Sequence, residues 1–240
     1  VAFDIFSVND SVSAKDGGSF AGTVGFGAGI ASPVTINGAT PTLTIGDAGA
    51  EDAKIVFDGN AQDYHIGLDD STDSLTIGLG SALGTTSHMV IDSTGAVTMP
   101  AQPAFLATKT ANANNFTIGS QQDVTFTTEV YDQNADFASS TFTAPVTGKY
   151  YLKCSMYLSS VDTAVDYYAI RINTSNRVYI KIFTPKFTAD VGFMSMEVST
   201  VADMDASDTA SIQIIQSSGT AQTDIQGNAS YTYFTGFLAC

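Results

Sequence analysis

Three carboxylates in the last fifth of the chain have a spacing that could hold a metal ion. They are Asp203, Asp205 and Asp208, in a segment with the composition of a turn. Carboxylate oxygens are the hard ligands that Ca²⁺ prefers, although the order of residues does not match an EF-hand loop. Acidic turns also limit the pairing of strand edges and keep a β-rich protein in solution. We expect no resident cofactor, and calcium is the one candidate. A second acidic group with the same potential is formed by Asp69, Asp70 and Asp73.

Signals for catalysis are few. The chain has two histidines, His65 and His88, and it lacks the Gly-x-Ser-x-Gly elbow of many serine hydrolases. It also lacks a Gly-x-x-x-x-Gly-Lys phosphate loop. A pair of carboxylates that hydrolyses glycosidic bonds stays open, because such a pair is defined by its separation in space. The sequence predicts a protein that is not an enzyme, with a polysaccharide depolymerase as an alternative.

The composition excludes several classes of protein. Of the 240 residues 44% are hydrophobic and 14% are charged, and the formal net charge is −15. Disordered chains combine low hydrophobicity with high charge, so this composition excludes a disordered chain. Phosphate contacts and polybasic membrane anchors both need clustered Lys and Arg. No segment approaches the roughly 20 apolar residues of a membrane-spanning helix. We therefore expect an acidic, soluble protein that neither binds nucleic acid nor inserts into a membrane.

The two cysteines do not form a disulfide framework. We interpret Cys154 as a small buried apolar residue and Cys240 as an exposed terminal thiol, and the sequence leaves open whether the two pair. So few cysteines are typical of a protein made in a cytoplasm.

The chain divides by composition near Pro100. Residues 1–100 hold 15 of the 21 glycines, whereas residues 101–240 hold 19 of the 25 Phe and Tyr residues. An aromatic side chain can bury about 150–250 Å², so the second part can build a large core and the first cannot. Two prolines within residues 99–103 mark the junction. We predict two domains, 1–100 and 101–240.

The first part contains an internal repeat. Residues 42–46 (TLTIG) recur as residues 74–78 (SLTIG), and residues 54–59 (KIVFDG) are echoed by residues 88–92 (HMVID). Short β-branched runs separated by Gly and Asp predict strands. Each unit is too small to bury its own apolar face, so the pattern favours self-association, and in extended fibres three chains commonly provide the partner surface.

The second part alternates with the period of β-strands. In residues 150–158 the even positions are apolar, and residues 124–130, 168–173 and 211–215 alternate in the same way. Near the end of the chain Phe234 and Leu238 fall on the opposite face from Tyr231, Tyr233 and Phe237, so this strand is apolar on both faces. The residues expected to form either the head core or an assembly axis are Phe142, Tyr150, Leu152, Tyr231, Tyr233, Phe234, Phe237 and Leu238.

Three segments of the second part resemble the globular head of complement component one q, one of the tumour-necrosis-factor-like jelly rolls. They are residues 103–107 (PAFLA), residues 140–152 (STFTAPVTGKYYL) and residues 234–238 (FTGFL). The resemblance implies a jelly roll that packs as a threefold trimer around an apolar axis and that binds partners through its outer surface. It also implies a possible calcium site near the apex, where some relatives bind this ion.

The turn at residues 145–148 and the closing strand also suggest structural roles. Pro145 restricts the chain and has no N–H. Gly148 permits a positive φ between two strands. Gly236 is expected to leave room for a neighbouring aromatic ring or backbone.

The collagen stalk of the resembled family is missing, because no Gly-X-Y repeat is present. Residues 54–70 and 89–100, which stand in its place, resemble repeats of bacteriophage tail fibres. We therefore expect an all-β homotrimer in which a Gly-rich repetitive β stalk or shoulder (1–100) precedes a complement-like jelly-roll head (101–240). The stalk would contact other virion proteins, and the head would bind a host-cell-surface glycan or protein.

The expected location is the virion, after synthesis in the host cytoplasm. Three alternatives stay open beside this interpretation. They are a secreted, non-viral complement-like binding head, a polysaccharide depolymerase on a fibre, and a capsid decoration protein.

Overall fold

A computed structural model describes Ile36 and residues 38–240. The chain divides into two compact units, residues 1–45 and residues 46–240, and the first lies largely outside the described residues. The described residues form seventeen strands and no helix. Within this part of the chain, no helix long and apolar enough to cross a membrane occurs. The all-β prediction is confirmed, and the boundary at Pro100 stays a prediction.

The first five strands form one antiparallel sheet in the order of the sequence. At the hairpin between the second and third strands, the carboxylate of Asp69 accepts hydrogen bonds from the backbone N–H and hydroxyl of Ser71 at 3.1 and 2.6 Å. This is a local turn of the kind that Asp favours. The strands are β1 (Ala53–Phe57), β2 (Tyr64–Asp69), β3 (Ser74–Leu79), β4 (Ser87–Ile91) and β5 (Val97–Thr98).

The internal repeat is only partly structural. Residues 74–78 lie in β3, but the similar residues 42–46 form no strand and are exposed. The strand prediction for this first copy is therefore wrong. A strand needs neighbours for its backbone hydrogen bonds. β3 has β2 and β4 on its two sides, whereas no described strand lies beside residues 42–46.

Twelve further strands build a sandwich of two six-stranded sheets. One sheet, here the β11 sheet, has the order β14-β11-β17-β6-β8, with β16 beside β11. The other, the β15 sheet, has the order β13-β12-β15-β10-β9, with β7 beside β15. The strands are β6 (Ala104–Thr108), β7 (Gln121–Asp123), β8 (Thr128–Gln133), β9 (Phe137–Ala138), β10 (Thr141–Thr143), β11 (Gly148–Val161), β12 (Tyr168–Thr174), β13 (Val178–Phe183), β14 (Val191–Met204), β15 (Thr209–Gln216), β16 (Asp224–Ile225) and β17 (Tyr233–Leu238).

The core lies between these two sheets. The ring of Phe105 lies 4.8 Å from Phe137 and 4.9 Å from both Phe142 and Phe234, between ring centroids. Distances of this kind are typical of stacked and edge-to-face aromatic pairs. The predicted alternation is confirmed for β11 and β12, whose inward side chains are fully buried: Tyr150, Leu152, Cys154, Met156, Leu158, Tyr168, Ile170 and Ile172.

The structure differs from the sequence interpretation in two details. Residues 124–130 do not form one strand. Residues 124–127 lie outside the strands, after β7 ends at Asp123 and before β8 begins at Thr128. Gly148 does not have a positive φ. A Cβ there would lie 2.7 Å from Leu238 Cδ1 and 2.9 Å from the carbonyl oxygen of Cys240, so the position needs glycine for lack of space.

Candidate functional site

The outward face of the β11 sheet is rich in aromatic residues. Successive residues of a strand point to opposite faces, so between Tyr150 and Leu158 the even residues of β11 enter the core and the odd residues point away from it. The odd residues include Tyr151 and Tyr157, and the neighbouring strands add Phe193 and Phe237, which are 60% and 47% exposed. Large apolar side chains thus remain in contact with solvent in a single chain.

These aromatic side chains contact one another across strand boundaries. Tyr151 and Phe237 have ring centroids 5.3 Å apart. Tyr157 lies 5.2 Å from Phe193, with the two rings nearly parallel, and 5.1 Å from Tyr231. Cross-strand pairs fix the orientation of their side chains. The aromatic face, defined by these five residues, therefore consists of two groups of contacting rings, Tyr151 with Phe237 and Tyr157 with Phe193 and Tyr231.

The charges at the centre of this sheet are paired. Lys153 Nζ lies 3.2 Å from Glu197 Oε2, and it also lies 6.0 Å from the ring centroid of Tyr233. The hydrogen bond to Glu197 raises the pKa of Lys153. Because these two opposite charges lie together, burial of the aromatic face would leave neither Lys153 nor Glu197 unpaired.

The structure separates the residues that the sequence assigned to either core or axis. Phe142, Tyr150, Leu152 and Phe234 are fully buried in the core. Leu238 is partly buried and packs against that core. The outward residues are Tyr231, Tyr233 and Phe237. That these outward residues lie on a trimer axis stays a prediction.

Sequence reasoning did not identify Tyr151, Tyr157 and Phe193 as site residues. The alternation in residues 150–158 predicts one apolar side formed by the even positions, although two of the odd positions are tyrosines. Phe193 lies in β14, a strand that the alternation of residue types does not predict. Aromatic residues at positions of the same parity within one strand were the available signal.

The predicted calcium ligands have structural partners. Arg177 Nη2 donates to Asp203 Oδ2 at 2.6 Å, and Tyr179 donates to Asp203 Oδ1 at 3.3 Å. Hydrogen bonding by its own backbone N–H and the nearby Arg177 guanidinium lower the pKa of Asp203. Asp208 Oδ2 accepts a hydrogen bond from the backbone N–H of Asp205 at 2.8 Å. Across residues 38–240, no three acidic, His or Cys side chains converge as a metal site would require.

The two histidines and the two cysteines do not come together in a reactive site either. His65 is buried, and its Nδ1 lies 2.9 Å from the carbonyl oxygen of Gly80 in the five-stranded sheet. His88 lies near Tyr64, with ring centroids 6.3 Å apart. Cys154 and Cys240 are both free, as buried and exposed thiols respectively, and burial raises the pKa of the Cys154 thiol. The sequence interpretation of the two cysteines is confirmed.

Comparison with known proteins places residues 104–239 in a family. This range matches the model of the C1q domain. The globular domain of zebrafish complement 1qA is 20% identical, over 58% of this chain and 98% of that chain, with a TM-score of 0.43. Murine APRIL at pH 5.0 is 11% identical, over 57% and 98%, with a TM-score of 0.42. No curated protein matches the chain. Because the family model covers more than half of its residues, the chain belongs to the C1q domain family.

Proposed function

We propose that the chain forms a homotrimer whose C-terminal head binds a receptor on a host cell, as part of a virion appendage such as a tail fibre. C1q and TNF-like domains typically form homotrimers that bind receptors, and they are generally not enzymes. The observation that carries the proposal for this chain is the aromatic face of the β11 sheet. Its five aromatic residues surround the Lys153–Glu197 ion pair, and Phe193, Tyr231 and Phe237 are exposed in the single chain.

Burial of this face would stabilise an assembly. Apolar surface removed from water contributes roughly 25 cal/mol per Å², and aromatic side chains dominate the energetics of many interfaces. Self-association through the aromatic face would leave the outward face of the β15 sheet and the loops of the head available for a receptor.

The viral context rests on the N-terminal part of the chain. The five strands β1 to β5 precede the head where the resembled family carries a collagen stalk. This replacement supports a fibre-like appendage, with the N-terminal part bound to other virion proteins. The corresponding location is the virion, and the corresponding receptor is a glycan or protein on the host surface.

A substitution on the aromatic face tests the assembly. We expect the wild-type chain to sediment as a trimer, at three times the 25.0 kDa of one chain. Phe237→Glu would place three carboxylates in the buried interface, so it should shift the protein towards monomers. Phe187→Glu is the matched control, because Phe187 is 49% exposed, as Phe237 is 47%, but lies in the loop between β13 and β14.

The readout is sedimentation equilibrium, with circular dichroism to show that both variants remain folded. A folded Phe237→Glu variant that is still fully trimeric at micromolar concentration would contradict the proposed interface.

The viral part of the proposal has a separate test. Mass spectrometry of purified particles should detect the chain, and the purified trimer should compete with particles for adsorption to host cells. A chain that binds cells but is absent from particles would instead favour a secreted binding head. A chain in particles that does not compete would favour a capsid decoration protein.

A further inference from the structure

The five-stranded sheet has one continuous apolar face. Cross-strand pairing aligns Ile55, Ile66, Ile77 and Met89 in a row over four strands. The rows on either side are Phe57–Tyr64–Leu79 and Ala53–Leu68–Leu75–Ile91–Val97, and His88 at the bulge in β4 lies beside Tyr64. These rows contain no Asp, Glu, Lys or Arg side chain. Ile77 in the central strand is 40% exposed. We call this surface the apolar face of the five-stranded sheet.

The opposite face of the same sheet is already covered. It carries His65, Asp69 and Thr76, which are 1%, 6% and 2% exposed. The segment between β3 and β4 lies over them, and the carbonyl oxygen of Gly80 contacts His65 Nδ1. A Cβ on Gly84 in that segment would lie 2.8 Å from Asp69 Oδ2. The chain thus covers the polar side of its own sheet, while no described residue covers the apolar side.

We infer that the apolar face packs against the same face of two further copies of this chain. It would then form a second threefold interface, separate from that of the head. This inference rests on the proposed function, because the trimeric head sets the number of copies. Burial of an exposed apolar surface is favourable against another apolar surface, and each copy of the chain provides one.

The connection between the five-stranded sheet and the head supports further copies of the chain as the partners of the apolar face. Only residues 99–103 join β5 to β6, a segment that reaches about 18 Å at full extension. Side-chain amides hold it in place, since Gln133 Nε2 donates to Met99 O and Gln102 Nε2 donates to Leu238 O, both at 2.8 Å.

The residues that hold this connection belong to the β11 sheet. Gln133 ends β8 and Leu238 ends β17, and the outward face of this sheet is the proposed head interface. Three heads on one axis therefore bring three apolar faces close together, at an effective concentration of about millimolar. The competing occupant is the segment 1–35 of the same chain, which lies outside the described residues.

Charge substitutions in the 240-residue chain distinguish these two possible partners of the apolar face. Ile77→Glu and Ile77→Lys would be produced separately and by co-expression. If three copies meet at this face, either homotrimer places three like charges together, and mixed trimers relieve that repulsion. We expect native mass spectrometry to show the two homotrimers depleted by about tenfold relative to random mixing. We also expect the mixed trimers to melt at a higher temperature than either homotrimer.

Lys54→Glu is the matched control. Lys54 lies on the opposite face, beside Gly67, so Lys54→Glu mixed with the wild-type chain should give a random distribution. Should the Ile77 variants fail to fold, the pair Leu68→Glu and Leu68→Lys probes the same face, where Leu68 is 47% exposed.

Trimers with a random distribution of the charge variants would overturn the inference and leave the trimeric head intact. In that case, equal destabilisation by Ile77→Glu alone and in the mixture would assign the face to the segment 1–35. A wild-type chain that forms no trimer would instead contradict the proposed function.

Discussion

The carboxylate of Asp162 connects separate segments of the head. It accepts backbone hydrogen bonds from Ala164 and Ala221, both at 2.7 Å, and from Thr220. Burial alone would raise the pKa of Asp162, but these hydrogen bonds stabilise the ionised form and lower the pKa below its ordinary value of 3.8. Asp162 is only 1% exposed, so water cannot replace these partners.

Asp162→Asn should destabilise the head by about 2 kcal/mol at pH 7, because an amide cannot accept hydrogen bonds at both of its terminal atoms. A carboxyl whose pKa is lowered on folding contributes stability that is present above pH 3.8 and is lost as the pH falls through the folded value. Urea unfolding should therefore show that the difference between wild type and variant shrinks below pH 3.8. A difference that stays constant down to about pH 2 would contradict this assignment.

Gly236 in β17 confirms the close approach expected from the sequence. A Cβ there would lie 2.6 Å from Leu152 Cδ2 and 2.9 Å from both Phe105 Cε1 and the carbonyl oxygen of Tyr151. Gly236→Ala should destabilise the head by about 1–3 kcal/mol, since added volume strains a packed core. Thermal unfolding provides the measurement. Gly192→Ala in β14 is the control, because no atom lies within 4 Å of its added Cβ, and a similar loss in both variants would argue against this steric effect.

At the scale of elements, β17 is central to the β11 sheet. It pairs with β11 on one side and with β6 on the other. The chain end is fixed as well, because the backbone N–H of Lys149 donates to the carbonyl oxygen of Cys240 at 2.7 Å. A central strand supplies hydrogen bonds to two neighbours, so its loss separates them.

Deletion of residues 231–240 should therefore abolish soluble assembly. The deletion would expose the edges of β11 and β6 and remove Phe234 from the core. Size-exclusion chromatography of the soluble fraction measures the outcome. A truncated chain that remains soluble, folded and unchanged in oligomeric size would show that β17 is dispensable.

At the scale of the whole molecule, the proposed trimer would present three copies of the receptor-binding surface. When linked sites engage together, the apparent affinity rises by roughly 10²–10⁴ through effective concentration, without any new contact. The Phe237→Glu monomer should bind host cells at least about a hundredfold more weakly than the wild type. Phe187→Glu should bind as the wild type does. Equal binding by a monomeric variant and the trimer in a saturation assay would show that multivalency contributes nothing.

Much of the head could be predicted from local patterns. The alternation in β11 and β12 identifies strands and their buried sides, because one side of each strand is apolar along its length. The segments around residues 140–152 and 234–238 were sufficient to indicate the C1q fold. The strand β14 was not identified, since its core-facing side mixes Met, Val, Thr and Ala with no strong contrast to the other side.

The sequence by itself determined the all-β class, the close packing at Gly236 and the inward residues of the regular strands. These properties depend on residue type and on a period of two, which are local. Only the tertiary structure decided that Tyr157 meets Phe193, which is distant in the chain, and that residues 42–46 form no strand although they resemble β3. The physical reason is that alternation defines the two faces of a strand, but long-range pairing decides which element, if any, covers each face.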